Sequence, residues 1–198
     1  MLNHRGFTLM ELMVTIAVFG ILMVMGLPMY STWMANMRIR GAAEALQNGL
    51  QVARTTAIGR NTNVYFVLPT AGSLDQIVYA VNSASAMPAD FQAPDGTLID
   101  MVRQFNQAES TSGTSVTNAP AGAYMVAFGS LGQVVVDSSG NNIDGSPVLK
   151  TVDVDPSSTS TDPSLRPMRV LISAGGAIKT CDRSVTDPTD FRFCPATF

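Results

Sequence analysis

From Leu12 to Leu27 every residue is apolar or glycine except Thr15. Phe7 to Tyr30, 24 residues, would form a helix about 36 Å long at ~1.5 Å per residue, enough to cross a hydrocarbon core of ~30 Å. Beyond Pro28 the pattern becomes amphipathic. Ala42, Leu46, Gly49, Leu50, Ala53 and Ala57 recur at three- and four-residue spacings, and Arg38, Arg40, Glu44, Gln47, Gln51 and Arg54 fall mostly between them. The spacing predicts one helix from about Phe7 to Ile58, roughly 80 Å long by the same rise, stopped by Gly59. Pro28 lacks an N–H and crowds the preceding turn, so a kink or local melting is expected there. The Ala/Gly stripe of the second half would let strands approach closely.

The remainder reads as strands and turns. Strands are expected at Asn63–Leu68, Gln76–Val81 and Leu98–Phe105. Tyr124–Phe128 and Gln133–Asp137 flank Gly129-Ser-Leu-Gly132, and Met168–Ser173 and Ala177–Cys181 flank Ala174-Gly-Gly176, giving two hairpins. Polar, Gly- and Pro-containing loops are expected at Asn82–Gly96, Ser110–Gly122, Ser138–Pro147 and Asp153–Pro167. A long helix followed by strands implies an α+β fold: a long N-terminal helix, transmembrane and then amphipathic, packed on an antiparallel β-sheet head. The expected segments are a leader at 1–6, a transmembrane helix at 7–30, a stalk helix at 31–59 and a β-rich head at 60–198.

The flanks orient the span. Arg5 and Gly6 precede the apolar run and no small-x-small cleavage site follows it, so the run should be retained, with Arg5 on the cytoplasmic side and the head outside. Charged residues make up only 14% of the 198, fewer than in most soluble domains. Glu11 is the anomaly, because a carboxylate at the edge of an apolar helix is costly and usually has a partner.

Arg5-Gly-Phe-Thr-Leu-Met-Glu11-Leu12 resembles the processing site of type IV prepilins and type II secretion pseudopilins. The resemblance implies cleavage by a prepilin peptidase between Gly6 and Phe7 and N-methylation of Phe7. It also implies pairing of Glu11 with the terminal amine of a neighbouring subunit during assembly. Opposite charges in lipid gain strongly by such pairing. Pro28 sits where pilins often carry a helix-bending proline. The two hairpins, with Phe128-x-x-x-Gly132 and Ile172-Ser-x-x-Gly176 ahead of Cys181, resemble the GspH/FimT family of minor pilins and pseudopilins.

Cys181 and Cys194 read as one disulfide if the head lies in an oxidising compartment, with two unpaired thiols as the alternative. Closing that loop is expected to contribute roughly 3 kcal/mol. His4, the single histidine, lies in the expected leader, so no Ser-His-Asp or Cys-His arrangement is available to the processed chain. No P-loop, H-E-x-x-H or dinucleotide fingerprint occurs, and no enzyme activity, cofactor or metal is expected. Asp137–Gly145 resembles a calcium loop only in part. In that register the first position is Gly140 and the twelfth Thr151, so both lack the required carboxylate.

Some GspH/FimT relatives bind DNA through a basic Gly-Arg-x-Arg turn. The matching turn here is Gly176-Ala-Ile-Lys179, which keeps one base. Lys179, Arg183 and Arg192, with Arg166 and Arg169, could contact phosphates, but Asp182, Asp187 and Asp190 lie among them, so DNA is not the favoured partner. The expected role is that of a minor type IV pilin of the bacterial inner membrane with a periplasmic head. It would join other pilins through the N-terminal helix to prime pilus assembly near the tip. A type II secretion minor pseudopilin is the alternative, and a DNA-binding minor pilin for natural transformation the second.

Overall fold

The computed structural model describes residues 7–68, 74–81, 99–105, 113–156 and 162–195, with the side chains at 24–28, 81, 99–101 and 105 left outside that description. The expected leader and the expected Asn82–Gly96 loop therefore lie outside the described residues.

Helix α1 runs from Leu9 to Arg60, 52 residues, about 78 Å at the usual rise. Thr8 caps its start, its hydroxyl oxygen accepting from the Glu11 N–H at 3.3 Å. Asn61 ends it in the left-handed region, at φ 50°, with its N–H turned back to the carbonyls of Ala57 and Ile58. Asn tolerates that conformation better than most residues, so the helix stops two positions beyond the expected Gly59. It is continuous across Pro28. The expected local melting is absent, because one proline costs a single backbone bond that the flanking turns can carry.

Eight strands follow: β1 Val64–Val67, β2 Gln76–Val81, β3 Ile99–Phe105, β4 Thr114–Ala119, β5 Met125–Phe128, β6 Thr151–Pro156, β7 Met168–Ile172 and β8 Ile178–Asp182. They form two antiparallel four-stranded sheets, ordered β3-β2-β1-β5 and β4-β6-β7-β8, and α1 packs on both. The fold is α+β as expected, with the head divided between two sheets.

Ile39, Ala42, Ala43, Leu46, Leu50, Ala53 and Ala57 are all buried, and they meet Val64, Phe66, Val78, Val126 and Phe128 of the first sheet and Val152, Val154 and Val170 of the second. β1 is buried on both faces. Val64 and Phe66 face the helix, while Tyr65 and Val67 join Tyr79, Met125 and Ala127 in a second cluster behind the sheet. The small-residue stripe allows this close approach. A Cβ on Gly49 would lie 2.1 Å from Gln76 Oε1 and 2.9 Å from the Phe66 ring.

Three expectations fail in the head. Ser110–Gly122 contains β4 and is not wholly loop, and the first residues of Asp153–Pro167 belong to β6. Gln133–Asp137 does not form a strand: only Val134 bridges to Phe128. Val135 N–H donates to Ala127 O, but Val134 N–H goes to Ala174 O in the other sheet's turn, and Leu149 N–H takes Met125 O. Residues 148–149 thus occupy the stretch of the β5 edge that a full hairpin strand would need.

Candidate assembly helix and the head that carries it

The two halves of α1 have opposite environments. Every large apolar side chain described from Phe7 to Met23 is more than half exposed, with Phe7 at 82%. From Ile39 onward the inward stripe is buried to within 1%. Thr15 returns its hydroxyl to Leu12 O at 2.8 Å, so the one polar residue of the apolar run satisfies itself within the helix. Among the described residues no helix is long and apolar enough to cross a membrane; the side chains at 24–28, inside the apolar run, are not among them.

Glu11 is exposed in the first turn of α1, where the partial positive charge of a helix N-terminus favours an acid. Thr8 and Glu11 form the Ser/Thr-x-x-Glu pattern typical of helix starts, so both have a local helix-starting role. Gly6 lies outside the described residues, and at Pro28 only the continuous helical backbone is described.

The head grips the helix just above its exposed half. Thr32 hydroxyl donates to Asp162 Oδ2 at 2.6 Å. Asn36 Nδ2 donates to Ser164 O at 3.2 Å, and its Oδ1 accepts from the Arg166 N–H at 2.8 Å. At the other end of α1, Arg54 Nε donates to Gly132 O at 3.1 Å. The two glycine turns meet there: a Cβ on Gly176, at φ 78°, would fall 1.8 Å from Gly132 O.

The C-terminal bases are engaged with acids. Arg169 donates a two-pronged pair of hydrogen bonds to Asp153 at 2.5 and 2.8 Å, and these raise its pKa. Arg183 reaches Asp155 at 2.5 Å and Asp153 at 3.6 Å. Arg192 pairs with Asp190 at 2.7 Å, and Arg166 approaches Asp182 at 3.9 Å. Lys179 lies on β8 opposite Leu171. Cys181 and Cys194 are disulfide-bonded, their Cα atoms 5.2 Å apart. The bond fastens the segment after β8 alongside Asp182, whose N–H donates to Arg192 O.

Asp137 and Asp144 spend their carboxylates on turns. Asp137 accepts from the N–H groups of Ser139 and Asn141, and Asp144 from the N–H and hydroxyl of Ser146 and from the Tyr124 hydroxyl. Sequence reasoning missed Asn142, which is fully buried. Its Nδ2 donates to Met125 O, Ser146 Oγ and Pro147 O at 3.1 to 3.2 Å, pinning this loop to β5. An Asn between two polar runs gives no sequence signal of burial.

Residues 1–27 match the model of the prokaryotic N-terminal methylation motif, and residues 42–176 match that of the type II transport protein GspH. The chain belongs to the GspH family. The matched stretch runs from Ala42 in the buried α1 stripe to the second glycine turn, so it covers both sheets except β8. The chain is 26% identical over 119 residues to the type IV major fimbrial protein FimA of Dichelobacter nodosus, covering 60% of this chain and 74% of that protein. It is 30% identical over 110 residues to a fimbrial protein of Moraxella nonliquefaciens, covering 52% of this chain and 67% of that one. Its fold is similar to that of the type IV minor pilin FimU of Pseudomonas aeruginosa, with a TM-score of 0.46 and 16% identity over 71% of this chain and 86% of FimU.

Proposed function

We propose that this GspH-family chain is a minor type IV pilin. A prepilin peptidase removes the leader between Gly6 and Phe7, and Phe7 is N-methylated. The apolar helix crosses the inner membrane with the head in the periplasm, and the subunit primes pilus assembly near the tip with other pilins. The observation that carries this reading is the environment of α1: every large apolar side chain described from Phe7 to Met23 is more than half exposed, and no described part of the head covers that stretch. Such a rod is stable in water neither alone nor as a surface helix, and it fits lipid followed by other helices. The apolar sequence from Leu12 to Leu27, interrupted only by Thr15, and the methylation-motif match support the membrane and processing steps.

No ion pair joins Glu11 to another of the described residues, and pairing with the methylated amine of a neighbouring subunit would supply one in lipid. Glu11→Ala is expected to leave leader cleavage intact and to remove the protein from sheared pili. Normal amounts of the variant in the sheared fraction, detected by immunoblot, defeat the assembly role of Glu11.

The family's description as a type II transport protein supports a second reading, a minor pseudopilin of a type II secretion system. Fimbrial relatives favour the pilus. Crosslinking in the native host separates the two, because the subunits captured are either pilins or pseudopilins.

A further inference from the structure

The grip of the head on α1 lies very close to the end of the apolar run. Thr32 is five residues past Leu27, about 7.5 Å along the helix, and Asn36 about 13 Å. The headgroup layer of one leaflet is roughly 5–7 Å thick. If the run spans the membrane as proposed above, the strap at 162–166 has no spacer separating it from the headgroups. Tyr30 and Trp33 lie at the same level, on a neighbouring face of the helix. They are 60% and 55% exposed, with ring centroids 6.0 Å apart. Amphipathic rings of this kind concentrate at membrane interfaces.

The charges at this level suit phosphate. The strap's acid, Asp162, is partly exposed and has both oxygens hydrogen-bonded: Thr32, the Ser164 N–H and the Ser164 hydroxyl all donate to it. Arg166, on the same strap, keeps a side chain that is 59% exposed and only a 3.9 Å approach to Asp182. Arg40 is exposed one turn above Asn36.

We propose that the underside of the head is a membrane-docking surface. Tyr30 and Trp33 seat in the headgroup layer of the outer leaflet, and Arg166 contacts phospholipid phosphates, so the head of the unassembled subunit rests on the bilayer surface. This proposal rests on the membrane-spanning reading of α1.

Trp33 is the single tryptophan, so its fluorescence reports the depth directly. The full chain is reconstituted in vesicles of phosphatidylcholine, with and without phosphatidylglycerol. Retention of the chain in membranes washed at high pH tests the span. Quenching of Trp33 by aqueous acrylamide, and by lipids labelled near the headgroup or deep in the tails, tests the docking. Hydrogen exchange over residues 162–167 tests the strap.

The expected result is retention, acrylamide quenching several-fold weaker than in the urea-unfolded chain, and strongest quenching by the shallow lipid label. Strap exchange should slow several-fold in phosphatidylglycerol vesicles relative to detergent, with the slowing lost in Arg166→Gln and kept in Arg166→Lys. Loss of the chain in the high-pH wash overturns the span and the docking with it. Retention with a water-exposed Trp33, or with strap exchange equal in vesicles and detergent, overturns the docking alone. Shielding of Trp33 that appears only as the protein-to-lipid ratio rises marks a neighbouring helix and overturns the lipid assignment.

Discussion

Gly49 of the helix lies directly against Gln76 of β2: a single methyl group on Gly49 would stand 2.1 Å from the Gln76 amide oxygen. Gln76 is itself 1% exposed, so its side chain has nowhere to retreat. The contact sets how closely α1 approaches the first sheet.

Gly49→Ala is therefore expected to destabilise the head. The overpacking cost is about 1–3 kcal/mol. It is offset in part by the gain in helix propensity, about 1 kcal/mol. Gly41, one stripe away, has nothing within 4 Å of its would-be Cβ, so Gly41→Ala should be neutral or stabilising. Urea unfolding of the two variants in detergent checks the pair. Equal midpoints would remove the close-approach argument.

Asn142→Ala should cost about 1–3 kcal/mol, because three buried or half-buried acceptors lose their donor. Asn142→Asp should cost at least as much, since a carboxylate would face the carbonyl oxygens of Met125 and Pro147. Thermal unfolding measures both. A Tm unchanged in Asn142→Ala would mean that the loop is not pinned to β5 through this side chain.

Loop 137–147 should also respond to acid. Burial pushes the Asp144 carboxyl up, but hydrogen bonds from Ser146 and Tyr124 outweigh it, and its pKa ends below the ordinary value. A lowered carboxyl pKa stabilises the fold above the unfolded value near ~4, and that contribution is lost as pH falls through the lower folded value. Tyr124 is raised, by burial first and then by its hydrogen bond to Asp144, so its contribution is lost only at alkaline pH. Hydrogen-exchange protection over 137–147, with the intrinsic pH dependence of exchange divided out, should be flat near neutrality and fall below about pH 4. Asp144→Asn should remove that acid step. Its persistence in the variant would assign it to another group.

The sequence made one half of this architecture legible and obscured part of the other. The 3.6-residue recurrence from Ala42 to Ala57 marked the buried face of α1, and the apolar strands β1, β2, β5 and β7 stood out from their turns. β4 and β6 did not. Their sequences, Thr-Ser-Val-Thr-Asn-Ala and Thr-Val-Asp-Val-Asp-Pro, alternate, but the inward residues are few and the outward ones are the Ser, Thr and Asp that also make loops. Val116, Val152 and Val154 bury inward, and Asp153 finds Arg169 from β7, a pairing visible only once the strands are laid side by side. Gln133–Asp137 failed in the opposite sense. It has the pattern of a strand, but Leu149 takes the β5 carbonyl it needs. Among the site residues, Cys181 and Cys194 are joined, and Arg183 and Arg192 pair with acids, the arrangement favoured over a phosphate-binding patch from the Asp residues interleaved with them.

Reduction of the disulfide should loosen the C-terminal segment and leave the sheets in place. Closing a loop with a sequence separation of 13 contributes roughly 3 kcal/mol by chain entropy. Cys181 is buried beside Asp182, so Cys181→Ser with Cys194→Ser should lower Tm and speed proteolysis within 183–195. Unchanged proteolysis there would mean that the pairing of Asp182 with Arg192 and Phe193 holds the segment without the bond.

On the proposed function the exposed helix enters assembly with a free, methylated amine on Phe7, four positions before Glu11. Intact and N-terminal peptide mass spectrometry of the protein isolated from its native membrane reads this directly. The expected mass starts at Phe7 with one added methyl group. A chain that retains Met1, or one that starts beyond Pro28 and so has lost the apolar run, would contradict it.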